Sequence, residues 1–387
     1  MFNHCVYPYY VAKLFMNSYD YIFALIASFA LCLVVTPFII LFAKRLKIID
    51  KPDSERKIHR KPTPLLGGLA VFLSFNVIVF FYSLITRDLI GDTIIFKNLL
   101  GVFLGSFFLA LGGFLDDKYN LRPKWQLIWP IFAALSVIVC GIGIDWITNP
   151  FGDGVLELNK YTIKLFWYHG IAYKFTLLAD IFTFVWLLAM MYTTKLLDGL
   201  DGLVSGITII GSIFIFFTAL NKGDIIQYDV ALLAIILIGV FVGFLVFNFN
   251  PASIFLGEGG STMAGFLLGC ISIISGSKVG ITLLLLSIPF LDFVWTVVRR
   301  FVEKRNLFSA DRKHLHHRLL DAGFTVKRAV LFLYSIAVAF GLVAYYFQDK
   351  GISFMTAMAA VVVVFMLILA YVYTKKRRKA RLLTENN

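Results

Sequence analysis

Long apolar runs almost free of charge constrain this chain more than any other feature. Ile207–Leu220, Val230–Phe247 and Ala357–Tyr373 are the clearest. About 20 such residues span the hydrocarbon core of a bilayer. Only 15% of the 387 residues are charged, fewer than a soluble chain of this length carries. We read spans at about 21–43, 65–86, 98–115, 127–147, 178–197, 203–220, 229–248, 262–276, 279–299, 328–347 and 352–374. The expected fold is all-α: a polytopic membrane helix bundle of about 11 transmembrane helices. The whole chain, 1–387, reads as one integral membrane domain, with a basic tail over 375–387.

The net charge of +13 does not call for nucleic acid. Lys and Arg crowd one set of loops: Lys44–Lys61, Lys118–Lys124, Arg299–Arg328 and Lys375–Arg381. The other set is sparse, with Lys97, Lys160 and Lys174 among its few. Basic loops stay on the cytoplasmic side, so the N-terminus is expected outside and the C-terminus inside. Alternation either side of Asn159-Lys160 predicts a small outer β-hairpin. Cys5, Cys32, Cys140 and Cys270 form no CxxC pair, so neither a disulfide framework nor a zinc site is expected. The first twenty residues lack a basic region before an apolar stretch, so no cleaved signal peptide is expected.

Acidic residues are scarce, which makes their clustering informative. Asp116 and Asp117 close one span, and Asp198 and Asp201 close another. Glu258 precedes a third, all on the predicted cytoplasmic side. Asp198 and Asp201 share a face if their helix continues, as do Lys195 and Asp198. Five like charges on one surface repel unless a cation offsets them, and hard oxygen ligands favour Mg²⁺ or Mn²⁺. The plain alternative is a set of solvated loop acids.

Two glycine-rich turns fit a phosphate. Gly257–Ser261, with Gly260 inside it, leads into a span that Ser261 or Thr262 could cap, and a helix N-terminus attracts anions. Pro64–Gly68 opens another span similarly, although glycine there also permits close helix packing. No P-loop is present. The stretch Asp311–Arg318 carries His314, His316 and His317 beside Arg312, which suits a diphosphate or sugar better than a metal. Asp292 is an ionisable residue within a span, a functional site or a helix-pairing group.

These segments resemble the polyprenyl-phosphate N-acetylhexosamine-1-phosphate transferase family. The resemblance rests on Lys57-Ile-His59, Pro62-Thr-Pro64 with Gly67-Gly68, and Asp116-Asp117 with Leu121 and Lys124. It continues through Leu197-Asp198-Gly-Leu-Asp201-Gly202, Asn248–Pro251, Phe255–Ser261 and His314-Leu-His316-His317, over about 50–320. The His-x-His-His form is similar to the N-acetylglucosamine branch. The resemblance implies a Mg²⁺-dependent enzyme of the bacterial inner membrane, its active site cytoplasmic. It would transfer a sugar-1-phosphate from a UDP-sugar to undecaprenyl phosphate, release UMP and so initiate cell-envelope polysaccharide synthesis.

By that resemblance Asp116 and Asp117 serve the lipid phosphate. Asp198, Asp201 and Glu258 surround the metal, with Asp198 and Asp201 also catalytic. Asn248 shapes the nucleotide end. His59, Lys124, Gly260, Ser261, Arg312 and the three histidines hold phosphate or sugar. Two positions depart from the family pattern: Lys195 and Tyr192 stand where Asn is usual, and Glu258 where Asp is. Lys195 could reach the donor diphosphate. An inactive scaffold and a lipid-linked sugar transporter are the competing readings. The sequence leaves open whether a single chain or a homodimer acts.

Overall fold

The computed structural model describes residues 6–52, 61–91, 93–149, 154–168, 171–221, 226–276, 279–304, 314–347, 360–368 and 370–371. The chain begins with α1 (Val6–Arg45), then β1 (Ile49–Asp50), β2 (Thr63–Pro64) and α2 (Gly67–Phe81), whose end unwinds into a π-helical turn at Tyr82–Thr86. Next come α3 (Phe96–Tyr119) and α4 (Pro123–Val139), then β3 (Trp146–Thr148), β4 (Val155–Glu157), β5 (Thr162–Tyr168) and β6 (Ile171–Thr176). The rest is α5 (Leu177–Leu197), α6 (Leu203–Leu220), α7 (Tyr228–Asn248), α8 (Gly257–Ile274), α9 (Val279–Leu285), α10 (Ser287–Val302), α11 (Leu315–Asp321) and α12 (Val326–Phe347).

The chain is an all-α polytopic bundle. Among the described residues eight helices are long and apolar enough to cross a bilayer. They lie in α1, α2 with its π turn, α3, α5, α6, α7, α8 and α12. The expected span at about 279–299 is not straight: α9 and α10 meet at 79°. Pro289 accounts for the break, because its ring lacks an N–H and clashes with the carbonyl of Leu285 four residues back. Counting that pair as one span gives nine. The span expected at about 127–147 is the shorter α4, Pro123–Val139. Of the last expected span, only 360–368 and 370–371 are described, and they are helical. The basic tail over 375–387 lies outside the described residues.

Helices α7 and α8 form the centre, and nearly all their side chains are buried. Around them pack α1 and α6 against α7, and α3 and α5 against α8. The outward face of α1 exposes Phe23, Ile26, Val34 and Phe38, an apolar surface suited to lipid. Where α8 enters the bundle, glycines let backbones touch. A Cβ on Gly68 would lie 2.3 Å from the Gly260 nitrogen, and one on Gly113 would lie 2.2 Å from the Gly259 Cα. Small residues permit this approach inside membranes.

The hairpin expected around Asn159-Lys160 differs from expectation. Asn159-Lys160 is not its turn: β4 pairs antiparallel with β3, and β5 pairs with β6. The alternating segment is extended, but its strands pair with partners outside it.

Candidate active site

The ends of α3, α5 and α7 and the starts of α2, α6 and α8 meet around a cavity of about 610 Å³. Asp116, Asp117, Asp198, Asp201 and Glu258 all line it, as do Lys195, Asn248, Ser261 and His317. Lys124, Gly260, His314 and His316 do not. His59 and Arg312 lie outside the described residues. Asp50, Asn120 and Gln126 also line the cavity, and the sequence reading passed over all three. Gln126, ten residues beyond Asp116 in a helix of mostly apolar residues, is the one with a signal.

Asp116 is only 7% exposed. One oxygen accepts the Leu121 backbone N–H at 2.8 Å and the Gln126 amide at 3.1 Å, and the other lies 3.3 Å from the same amide. These bonds fold the α3–α4 connection back on its own acid. Asp117 turns the other way. It accepts the backbone N–H of Glu258 at 3.2 Å, placing a carboxylate at the N-terminus of α8, where the helix dipole favours negative charge. Gly257 has φ +73°, and a Cβ there would lie 2.3 Å from Oδ2 of Asp117.

The expected caps are therefore corrected. Ser261 and Thr262 sit inside α8 and donate back to the carbonyls of Gly257 at 2.9 Å and Glu258 at 2.8 Å. The Pro64–Gly68 turn is no anion cradle either. Its Gly67 and Gly68 N–H groups are spent on the Phe255 and Leu256 carbonyls, at 3.0 and 2.7 Å. Gly260 is a packing residue against Gly68.

Helix α5 stops at Leu197, and Asp198 takes φ −74°, ψ 46°. Asp198 and Asp201 thus lie on a turn rather than on one helix face. Gly202, at φ +82°, starts α6, and its carbonyl accepts the Tyr334 hydroxyl. Asp201 holds the loop after α7, accepting the Asn250 amide at 2.8 Å and the Ala252 N–H at 3.1 Å. Asn248 accepts the Ser205 hydroxyl at 2.8 Å and donates to the Ile254 carbonyl at 3.0 Å. Asp198 is exposed at the cavity. The protein packed around its carboxyl, with the charges of Glu258, Asp117 and Asp201, holds it above the ordinary carboxylate range.

Lys195 does not find Asp198. Its ammonium lies 2.7 Å from Glu258 Oε2 and donates to Gln126 Oε1 at 3.1 Å. The Tyr192 ring, the other unusual residue of this segment, lies 5.7 Å from the same ammonium, within cation–π range.

The histidines divide. His317 lines the cavity. His316 is buried under the Asp198–Gly202 turn, its Nε2 2.2 Å from where a Gly199 Cβ would stand. Burial, with His317 and His314 beside it, holds His316 well below the ordinary imidazole range, so it is neutral. His314 pairs with Asp292 at 3.1 Å. Asp292 is thus a helix-pairing group, one of the two readings its sequence allowed.

Among the described residues no three His, Cys, Asp or Glu side chains form a ready metal cage. Mg²⁺ needs none: one or two carboxylates and substrate phosphates commonly hold it. The carboxylate oxygens among the lining residues and the charge crowding on Asp198 fit such an ion.

The sequence pattern of Glycosyl transferase family 4 matches residues 99–276, the stretch from α3 to the end of α8. A probable undecaprenyl-phosphate N-acetylglucosaminyl 1-phosphate transferase of Bacillus subtilis is 29% identical over 355 residues, covering 90% of this chain and 91% of the relative. A decaprenyl-phosphate N-acetylglucosaminephosphotransferase of Mycolicibacterium smegmatis is 28% identical over 337 residues, 80% of this chain and 78% of the relative. An undecaprenyl-phosphate alpha-N-acetylglucosaminyl 1-phosphate transferase of Thermotoga maritima is 28% identical over 309 residues, 80% of this chain and 84% of the relative.

Proposed function

We propose a reaction for this chain, which belongs to glycosyl transferase family 4. It transfers a sugar-1-phosphate, that of N-acetylglucosamine or a related N-acetylhexosamine, to undecaprenyl phosphate. The donor is a UDP-sugar, and UMP is released. One observation carries this reading: carboxylates from three separate helices converge on a water-open cavity at the end of an apolar bundle. A lipid acceptor and a water-soluble donor can meet only at such a boundary. A transporter would place its polar site near the midplane instead.

An oxygen of the lipid phosphate attacks the β-phosphorus of the donor. The bond from that phosphorus to the α-phosphate oxygen breaks, and UMP leaves with the electron pair. There is little covalent work for the protein, so positioning and charge stabilisation dominate. Asp116 and Asp117 orient the lipid phosphate through their fixed bonds to the α3–α4 connection and to α8. Asp198 and Asp201, with Glu258 beside them, are the groups that would hold Mg²⁺ or Mn²⁺. Such an ion, when bound, offsets charge on the diphosphate and on the leaving UMP. Asn248 and Asp201 shape the loop at the nucleotide end, and His317 reaches phosphate or sugar. The basic residues Lys44, Arg45, Lys118, Arg122 and Lys124 lie at the cavity end, which favours a cytoplasmic-facing site in the bacterial inner membrane.

The test incubates the protein with undecaprenyl phosphate, Mg²⁺ and a panel of UDP-sugars. UMP release with a lipid diphosphate-sugar product is expected from at least one. No UMP from any of them would sink the reading.

A further inference from the structure

Four side chains from four helices form one unbroken polar chain at the cavity wall. Glu258 of α8 meets Lys195 of α5 at 2.7 Å, and Lys195 donates to Gln126 of α4 at 3.1 Å. Gln126 in turn donates to Asp116 of α3 at 3.1 and 3.3 Å. We propose that Gln126 is a positioning residue that Lys195 holds against Asp116, so that one lysine ties both acidic walls of the site together. The inference rests on the reaction assigned above.

An amide side chain has two ends of opposite character, and little distinguishes them by shape. Here the chemistry leaves one choice. Lys195 only donates, so it must face Oε1 of Gln126. The Asp116 carboxyl takes the Leu121 N–H on one oxygen and faces the Nε2 protons. Gln126 also donates to the Leu121 carbonyl at 3.1 Å, which uses its second amide proton. The ring through Leu121 then closes, because the Leu121 N–H returns to Asp116 at 2.8 Å. A neutral residue at position 195 would leave Oε1 of Gln126 without its charged donor.

The lysine also differs from a solvated surface cation. Its side chain is 20% exposed and that of Glu258 34%. It places an ammonium against Glu258, the acid nearest to it, on that side of the cavity. Two unusual residues of this sequence, Lys195 and Glu258, are therefore two halves of one contact, and Gln126 carries that contact across to Asp116.

The test is a double-mutant cycle on the full-length protein in detergent, with Gln126→Leu and Lys195→Met. Initial rates of UMP release from UDP-GlcNAc are read beside thermal unfolding. Each single change should lower kcat by about 10²-fold, the cost of a misplacement near 1 Å, while KM for UDP-GlcNAc stays within about twofold. The double variant should be no slower than the slower single, since either change breaks the same chain. Lys195→Arg keeps both donated bonds and should recover most of the rate. Additive losses of kcat, or losses confined to KM, would overturn the inference. Additive shifts in melting temperature would overturn it too, and they judge the contact without any turnover. Wild-type protein that releases no UMP from any UDP-sugar would sink the assigned reaction alone, and the melting cycle would still decide the chain.

Discussion

The Asp292 carboxylate lies 3.1 Å from Nδ1 of His314, and its second oxygen accepts the Leu315 backbone N–H at 3.2 Å. One acid in the broken span thus fixes both the last residue before α11 and its first turn. His316 and His317 follow within that turn, one under the Asp198–Gly202 turn and one at the cavity. Asp292→Ala should lower stability by about 1–3 kcal/mol, the cost of a buried hydrogen-bonding group losing its partner. It should also slow turnover, because α11 carries His317. Melting curves and UMP release check both. Unchanged melting and full activity together would show that α11 is held by something else.

The cavity acids should matter for chemistry far more than for folding. Asp117→Ala and Asp198→Ala should each lower turnover by about 10²-fold or more, in the range of losing a preorganised electrostatic group. Expression should persist, since the bundle is held by apolar packing. Near-normal rates in both would remove these carboxylates from the mechanism.

A divalent ion should be required. Asp198 is crowded by three other carboxylates, and the two phosphates of the donor add more negative charge. UMP release should stop in excess chelator and return with added Mg²⁺ or Mn²⁺. Full turnover in chelator would exclude the ion from this site.

Gly257 tests the fit between α3 and α8. Alanine there would place a methyl 2.3 Å from Oδ2 of Asp117, on a backbone at φ +73°. That strain and clash together should cost about 1–3 kcal/mol. Melting should fall and turnover should collapse, because the Asp117 bond to α8 is lost. A variant that melts and turns over as wild type does would mean that the helices approach less closely than described.

Sidedness can be read with single cysteines. Asn120 ends α3 at the cavity, whereas Lys160 lies in the opposite connection, between β4 and β5. Lys160→Cys should react in intact cells with a membrane-impermeant maleimide. Asn120→Cys should react only after permeabilisation. The reverse pattern would turn the cavity to the outside.

The sequence alone determined the helical bundle and the five acids that line its cavity. Length and absence of charge decide what crosses a bilayer, and both are local properties of a segment. The five carboxylates were found for the same reason: each closes or opens an apolar block, and alternate blocks end on the same side. Tertiary structure alone decided which group meets which. Lys195 and Asp198 share a face only while the helix continues, and α5 stops at Leu197. Once it stops, the ammonium is free of its sequence neighbour and reaches Glu258, 63 positions away. Ser261 and Thr262 look like caps in sequence because they follow glycines, but α8 begins at Gly257, and Asp117 from α3 takes the N–H of Glu258 in its first turn. Gln126 stands out in sequence only as a polar residue in a mostly apolar helix, and its role appears only when Asp116 and Lys195 stand on either side of it. A pairing between helices depends on where each one ends and how closely their glycines let them approach, and neither is written in any single segment.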